Sequence, residues 1–319
     1  MTGCAGFIGS HLIDALVTDE HEVLGIDAFT DYYPRVVKEA NLAEARSWSS
    51  FSLVEADLAD APLGALLAGA DGVFHLAGQP GVRNSWGASF EAYVRHNILA
   101  SRRVFEAAAR AGVRVVHAST SSVYGESEVH PTPEDAAPHP LSGYGVTKLA
   151  AEQLAGAYAF SHGLDVVILR YFSAYGPRQR PDMAFARIAT ALVEGTPFEI
   201  YGSGEQARDF TYVADVLEAT RAAMERAPSG AVYNVGGDEV VSLLEAIGLL
   251  EALAGRRLDA RQGGAAIGDV RRTSADTSRI RAELGWRPST SLADGIAAQL
   301  RAAGLEISAP EPTPTRALG

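Results

Sequence analysis

TGCAGFIGSHL, residues 2–12, places three glycines (Gly3, Gly6, Gly9) three apart and runs on into an apolar helical pattern. This is how a phosphate-cradling turn begins. The first glycine permits a tight turn, the second lets backbone N–H groups approach a pyrophosphate, and the third lets the helix pack close to a sheet. The spacing is Gly-x-x-Gly-x-x-Gly rather than the commoner G-x-G-x-x-G. Taken alone it suits a purely structural strand-to-helix turn equally well. Such a turn follows a buried strand, and only Met1 and Thr2 stand before it here.

Downstream, short apolar runs alternate with helical patterns. EVLGID (22–27), FSLVEAD (51–57), GVFHLA (72–77), RVVHAS (114–119) and DVVILRYF (165–172) read as strands. They are rich in Val, Ile and Leu on both alternations, as a parallel sheet covered on both faces requires. Ile8 to Thr18, Phe90 to Ala111 and Tyr144 to His162 read as helices. The alternation predicts βαβ units: an α/β fold with a Rossmann-type doubly wound parallel sheet. After Tyr175 the rhythm changes. A loop (YGPRQRPD), a helix (Ala184 to Glu194), a short strand FEIY (198–201), a sheet strand AVYNVG (231–236) and a helix from Ser242 to Leu253 follow. The expected division is a nucleotide-binding domain of 1–172 plus about 211–240, and a smaller α/β substrate-binding lobe of about 173–210 plus 241–305. The Pro- and Thr-rich tail, 306–319, is expected to be disordered. No internal repeat is visible.

The chain of 319 residues is 47% hydrophobic, which is ample for a core, and carries a net charge of −12. Lys and Arg are thinly spread, which argues against nucleic acid and anionic membrane surfaces as partners. The single cysteine, Cys4, excludes an intramolecular disulfide, fits a reducing compartment and reads as a small buried filler. No apolar run approaches the roughly 18–20 residues of a membrane span, and the start lacks the pattern of a signal peptide. The expected location is the cytoplasm.

Two carboxylates sharpen the glycine turn. Asp27 ends the second expected strand about 20 residues on, where a carboxylate accepts hydrogen bonds from an adenosine ribose and repels a 2′-phosphate. NAD is favoured over NADP, although Arg35 and Lys38 follow closely enough to blur that preference. Asp57 and Leu58 end the next strand, where they can flank an adenine or simply begin a turn. Tyr144 and Lys148, in YGVTK, are four apart at a helix start and share a face, about 5–6 Å apart at Cβ. An ammonium there can draw a phenol of pKa near 10 toward working pH and make it a general base. Alone, the pair reads as a surface i,i+4 pair, of which helices carry many. ASTSSVYG (118–125) adds hydroxyls at a strand end, where doubly wound sheets bind ligands.

Together these segments resemble the extended short-chain dehydrogenases/reductases, and within them the nucleotide-sugar epimerases. TGCAGFIGSHL, ADL (56–58), HLAGQPGVRNSW (75–86), STSSVYG (119–125), YGVTK (144–148), RYFSAYGPRQRPDM (170–183), YGSGEQARDFTYVADV (201–216) and GDVRRTSAD (268–276) carry the resemblance in order. It implies that Tyr144 is the catalytic base, Lys148 its partner and a ribose ligand, and Thr120 the assisting hydroxyl, with Ser121 the runner-up. It implies an NAD site of Gly3, Gly6, Phe7, Ile8, Gly9, Asp27, Asp57, Leu58, Leu76, Ala77, Tyr144, Lys148 and Tyr171. A UDP-sugar would meet Arg83, Ser121, Ser122, Ser173, Arg180, Arg187, Tyr201 and Arg208, with Asp269 and Arg271 closing the nucleotide end. Epimerases of neutral UDP-sugars often carry an Arg where this chain has Ala266, so Arg271 is expected to take that load. No metal is implied.

The family chemistry removes a sugar proton to the tyrosine while the carbon beneath reduces NAD⁺, and a keto-sugar turning over in the pocket returns inverted. The 4,6-dehydratases carry an Asp–Glu pair after the assisting Thr, and sugar-acid decarboxylases a carboxylate at the second of those positions. Ser121 and Ser122 stand there and cannot do acid–base work near neutral pH. IDAFTDYYPRVVKEAN (26–41) and RQRPDM (178–183) resemble UDP-glucuronate 4-epimerases, with Arg180 the expected carboxylate ligand and Ser173 its neutral neighbour. UDP-glucose/galactose 4-epimerase, the decarboxylase and the dehydratase are the alternative enzymes, and an NAD(P)-sensing regulator is the non-enzyme alternative. The family implies a homodimer through helices at about 90–111 and 144–162, whose apolar residues (Val94, Ile98, Phe105; Leu149, Leu154) serve equally as sheet-facing core. It also implies a central strand before the Thr–Gly. Losing it forfeits some four buried aliphatic side chains, about 6–12 kcal/mol, comparable to a domain's whole stability. The natural chain is therefore expected to extend upstream of Met1, or another segment to supply the strand. In the chain as given, a gap or disorder beside residues 22–27 and weakened NAD binding are expected.

Overall fold

A computed structural model describes residues 1–264 and 270–307. Its main sheet is parallel and built from β1 (Val23–Asp27), β2 (Phe51–Glu55), β3 (Gly72–His75), β4 (Arg114–Thr120) and β5 (Val166–Tyr171). The short strands β6 (Ser173–Tyr175), β7 (Phe198–Ile200) and β8 (Ala207–Tyr212) follow, then β9 (Val232–Val235), β10 (Val240–Ser242) and β11 (Ala260–Gln262). β1 pairs with β2, and β3-β4-β5-β9 form a second parallel run. All six residues of β5 are buried, as expected of a strand covered on both faces. One covering layer holds Val104, Phe105, Ala108 and Ala155; the other holds Val216, Ala219 and Ala223.

The two runs of the sheet meet through a single residue. Thr2 forms parallel bridges to Ile26 of β1 and to His75 of β3. Its N–H donates to Phe74 O at 3.0 Å, and Leu76 N donates to its carbonyl at 3.2 Å. On the amino side of Thr2, β1 and β3 part. A cavity of about 610 Å³ lies between them, lined by Met1, Val23, Leu24, Gly72, Val73 and Phe74 among others. This is the gap expected beside 22–27, and residues Val23–Asp27 form strand rather than disorder.

The other elements form a smaller packed unit. β6 runs parallel to β8 and β10 antiparallel to it, while β7 pairs with β11. The helices Ala184–Glu194, Leu243–Ala254 and Leu292–Ala302 bury Phe185, Ile188, Leu250, Ile296 and Leu300 in a core of their own. The Leu243–Ala254 helix starts with a capping box, Ser242 and Glu245 satisfying each other's backbone N–H groups. Within the stretch assigned to this lobe, however, the helix Ser278–Leu284 and Trp286 join the main-sheet core. Trp286 Nε1 donates to Asp215 O at 2.9 Å. Of the faces considered for a dimer, Phe105 is fully buried against the main sheet and is core, and Leu154 packs on the same cluster. Residues 308–319 of the expected tail lie outside the described residues.

Candidate active site

The glycine turn opens at the carboxyl ends of β1 and β3. Gly3 has φ +69°, and a Cβ there would lie 2.6 Å from Ala77 N, so both conformation and space demand glycine. A Cβ on Gly9 would lie 2.2 Å from Gly3 O, which keeps the helix tight against the turn. That helix, Phe7–Thr18, has Gly6 as its N-cap, with no side chain capping it. Its first N–H groups therefore suit an anion. Asp27 fixes the turn: Oδ2 accepts from Ala5 N at 3.0 Å and Oδ1 from Phe29 N at 2.8 Å.

A cleft of about 220 Å³ begins here, and every residue expected to meet NAD lines it, from Gly3 to Tyr171. The glycine turn, the Asp27 carboxylate and the Tyr–Lys pair thus face one space, so the chain's residues fit the dinucleotide. Asp57 is already engaged, accepting from Arg95 Nε at 2.7 Å and Ala59 N at 2.8 Å. Arg35 is held by Glu39 and Glu55 at 2.8 and 2.6 Å, and Lys38 Nζ by Thr30 O at 2.6 Å. Neither is thereby poised for a 2′-phosphate. The Tyr171 hydroxyl is spent on Thr220 Oγ1 at 2.7 Å.

Tyr144 and Lys148 stand on the first turns of the helix Gly143–His162, whose N-cap Ser142 accepts from Gly145 N at 3.0 Å. Burial pushes the Tyr144 phenol up, while a hydrogen bond from Thr120 and the Arg180 charge pull it down. The cation expected to oppose burial was Lys148; Arg180 does so here. Lys148 itself is buried with Nζ on Ala118 O. Burial lowers its pKa to about 8, opposed by Glu152 one turn on. Glu152 in turn binds Ser119 Oγ and the Arg170 guanidinium, the latter at 2.7 Å.

A further clamp was not read from the sequence. Residues Val94–Leu99 form a π-turn inside the expected Phe90–Ala111 helix. It presents Asn97, whose Oδ1 accepts from Gln79 N at 2.6 Å and whose Nδ2 donates to Thr147 Oγ1 at 2.9 Å. Asn97 thereby ties the loop after β3 to the helix bearing Tyr144 and Lys148. π-turns commonly mark functional positions.

A second cleft of about 730 Å³ adjoins the first across Tyr144, Tyr171 and Arg180. Arg83, Ser121, Ser122, Ser173, Arg187, Tyr201 and Arg208 line it, with Thr120. Arg83 stacks over Tyr201 at 4.2 Å, and Arg187 lies over the same ring at 5.3 Å. Arg271 does not line this cleft. Its side chain is 90% exposed and pairs with Glu126 at 3.1 Å, because its own N–H and guanidinium both reach that carboxylate. Val270 and Thr273 face the cleft instead. Asp269 and Ala266 lie outside the described residues. Among the described residues, no group of three or more His, Cys, Asp or Glu is placed to hold a metal, and no helix is long and apolar enough to cross a membrane.

A Rossmann sheet, a glycine turn answered by a strand-end carboxylate, and a Tyr–Lys pair beside a hydroxyl-lined second cleft define an NAD-dependent enzyme of the epimerase type. The chain belongs to the NAD dependent epimerase/dehydratase family, whose model matches residues 1–236, and its cofactor is NAD. It is 42% identical to an uncharacterized UDP-glucose epimerase, YtcB, of Bacillus subtilis (strain 168), over 93% of this chain and 94% of that one. It is 36% identical to a probable UDP-glucuronate 4-epimerase of Rhizobium meliloti (strain 1021), over 93% and 94%. Among solved structures, UDP-glucuronic acid 4-epimerase from Bacillus cereus in complex with UDP-glucuronic acid and NAD superposes with TM-score 0.92 at 41% identity, covering 95% of this chain and 98% of that one.

Proposed function

We propose that this NAD-dependent UDP-sugar 4-epimerase interconverts UDP-glucuronate and UDP-galacturonate. The carrying observation is the position of Arg180. Its guanidinium lines both clefts and acts electrostatically on Tyr144. A sugar whose C4 hydroxyl meets Tyr144 carries its next exocyclic carbon nearby, and a carboxylate there finds a guanidinium. The relatives that bind or bear the name of UDP-glucuronate support the same reading.

When bound, NAD would supply the two-electron acceptor and donor for the hydrogen on C4. The ionised Tyr144 oxygen takes the C4 hydroxyl proton, holds it as the phenol and returns it, and the Thr120 hydroxyl hydrogen-bonds that oxygen and favours its ionised form. Lys148, protonated below its pKa of about 8, holds a positive charge in the same cleft as Tyr144. Gly3, Gly6 and Gly9 hold the pyrophosphate and Asp27 the ribose. Arg83, Arg187, Tyr201 and Arg208 meet the uridine diphosphate. Ser121 and Ser122 supply hydrogen bonds but no acid–base group, which favours inversion over elimination of water or loss of CO₂.

One observation favours the neutral-sugar reading, UDP-glucose/galactose 4-epimerase. Arg180 is paired with Asp182 through two contacts of 3.0 Å, so its charge is balanced before any substrate arrives. Incubating the protein with UDP-glucuronate and assaying UDP-galacturonate decides. Product that disappears in Tyr144→Phe supports the proposal; product from UDP-glucose alone supports the second reading. No product from a panel of UDP- and dTDP-sugars supports an NAD(P)-sensing regulator. The proposal includes a cytoplasmic homodimer: Leu99 and Val146 are exposed on the two helices expected at its interface, and the one cysteine is reduced and buried.

A further inference from the structure

IDAFTDYYPR (26–35), which runs from the end of β1 into the loop after it, contributes Asp27 to the cofactor site, but the reaction above uses nothing beyond that residue. Its Tyr32 reaches across both clefts. The Tyr32 hydroxyl donates to Asp182 Oδ2 at 3.3 Å over a separation of 150 residues. Asn84, from the loop after β3, hydrogen-bonds the same hydroxyl. Gly81 makes room for it: a Cβ there would lie 2.1 Å from the Tyr32 oxygen. Three loops, from β1, β3 and β6, therefore converge on one phenol.

Asp182 holds the Arg180 fork by one edge, Oδ1 on Nε and Oδ2 on Nη2, both at 3.0 Å. The guanidinium is planar and rigid, so fixing that edge fixes the direction of Nη1. The Arg180 Cζ also lies 5.8 Å from the Tyr32 ring centroid. Tyr32 thus touches both the carboxylate and the cation it orients.

We propose that Tyr32 and Asp182 form a brace that presents Arg180 to an acidic substituent on the hexose, and that this brace sets the preference for a carboxylated over a neutral UDP-sugar. The inference rests on the proposed UDP-glucuronate reading. Tyr32 and Asp182 are positioning residues. They act through Arg180, whose planar contact with a carboxylate depends on angle in a way that a contact with a hydroxymethyl group does not.

The test compares kcat and KM for UDP-glucuronate and UDP-glucose in wild type, Tyr32→Phe, Asp182→Asn, Asp182→Glu and Arg180→Ala. Loss of a hydrogen bond to a charged group predicts that Asp182→Asn lowers the acidic-over-neutral ratio of kcat/KM about 10- to 100-fold, chiefly through KM. Tyr32→Phe, which keeps the ring, should lower the ratio by about 3- to 10-fold, and Asp182→Glu should recover part of what Asn loses. Equal losses on both sugars, which a merely structural role gives, would overturn the brace. If Arg180→Ala abolishes the preference while Tyr32→Phe and Asp182→Asn keep it, the brace alone is wrong. If wild type does not turn over UDP-glucuronate, the substrate reading fails and the brace fails with it.

Discussion

The two ends of the main sheet are built differently. At the carboxyl end β1 and β3 are joined: Thr2 pairs with Ile26 on one side and His75 on the other, and Gly3 N donates to Ile26 O at 2.8 Å. The glycine turn leaves from this stitch already in register, and Asp27, Ala77 and the Tyr–Lys pair surround it. At the amino end the same strands separate around about 610 Å³ of space. One residue of strand suffices to place a ligand site, because the site needs only where the backbone leaves the sheet. Stability needs the whole strand, because buried area accumulates along its length.

The largest expected effect follows from the gap. Appending five apolar residues before Met1 should fill it and raise unfolding free energy by as much as about 6–12 kcal/mol, an upper figure because unfolded chains already bury some surface. Urea midpoints of the chain with and without the extension measure this, along with hydrogen exchange at the β1 amides. An unchanged midpoint would mean that the flanking strands do not accept a strand there. The ratio of activities on different sugars should not move, since the carboxyl end is already set.

His75, at the carboxyl end of β3, makes the stitch acid-sensitive. Its Nδ1 meets Thr2 Oγ1 at 2.7 Å and its Nε2 meets Ser101 Oγ at 2.9 Å. Burial lowers its pKa to about 3, against an ordinary 6.5. Between those values the unfolded chain binds a proton that the folded chain refuses. Stability is therefore complete above pH 6.5 and falls as pH drops toward 3, by at most about 4–5 kcal/mol. His117, stacked on His75 at 5.1 Å and likewise lowered by burial, adds to the same slope. Denaturant midpoints that stay flat from pH 7 to 4 would contradict this. His75→Gln should flatten part of the slope.

Tyr144→Phe probes the other end. Loss of a general base costs about 10²- to 10⁴-fold in kcat, and the melting temperature should barely change, since the ring stays in place against Tyr93. A large fall in stability would show that the hydroxyl serves the fold.

The same contrast explains what the sequence makes legible. β4 and β5 announce themselves as Val-, Ile- and Leu-rich runs, and the Gly, Asp27 and Tyr144/Lys148 signals are local: each lies within one turn or one strand end. What escapes is set by tertiary partners. The π-turn at Val94–Leu99 depends on Asn97 finding Gln79 and Thr147, and no periodicity encodes that. The amphipathic helix Ser278–Leu284 could cover either core, and Trp286 bonding to Asp215 decides for the main sheet. Arg271 carries the right charge in the right motif, yet Glu126, 145 residues away, holds it at the surface.

The smallest expected effect concerns Arg180, where fold and chemistry separate most cleanly. Arg180 belongs to the loop after β6, far from the gap, and its side chain is 20% exposed. Removing it should cost little stability. A charge-assisted contact to a substrate carboxylate contributes about 1.5–3 kcal/mol. Arg180→Ala should then lower kcat/KM for UDP-glucuronate about 10- to 100-fold more than for UDP-glucose. The fall in the neutral sugar is not zero, because Arg180 also draws down the Tyr144 phenol that both sugars use. That shared part should shift the pH–rate profile toward higher pH with either substrate, while the carboxylate part should leave the profile alone and appear only with the acid. Equal losses on the two sugars would reduce Arg180 to its electrostatic effect on Tyr144, and the carboxylate would have to be met by another group in the second cleft.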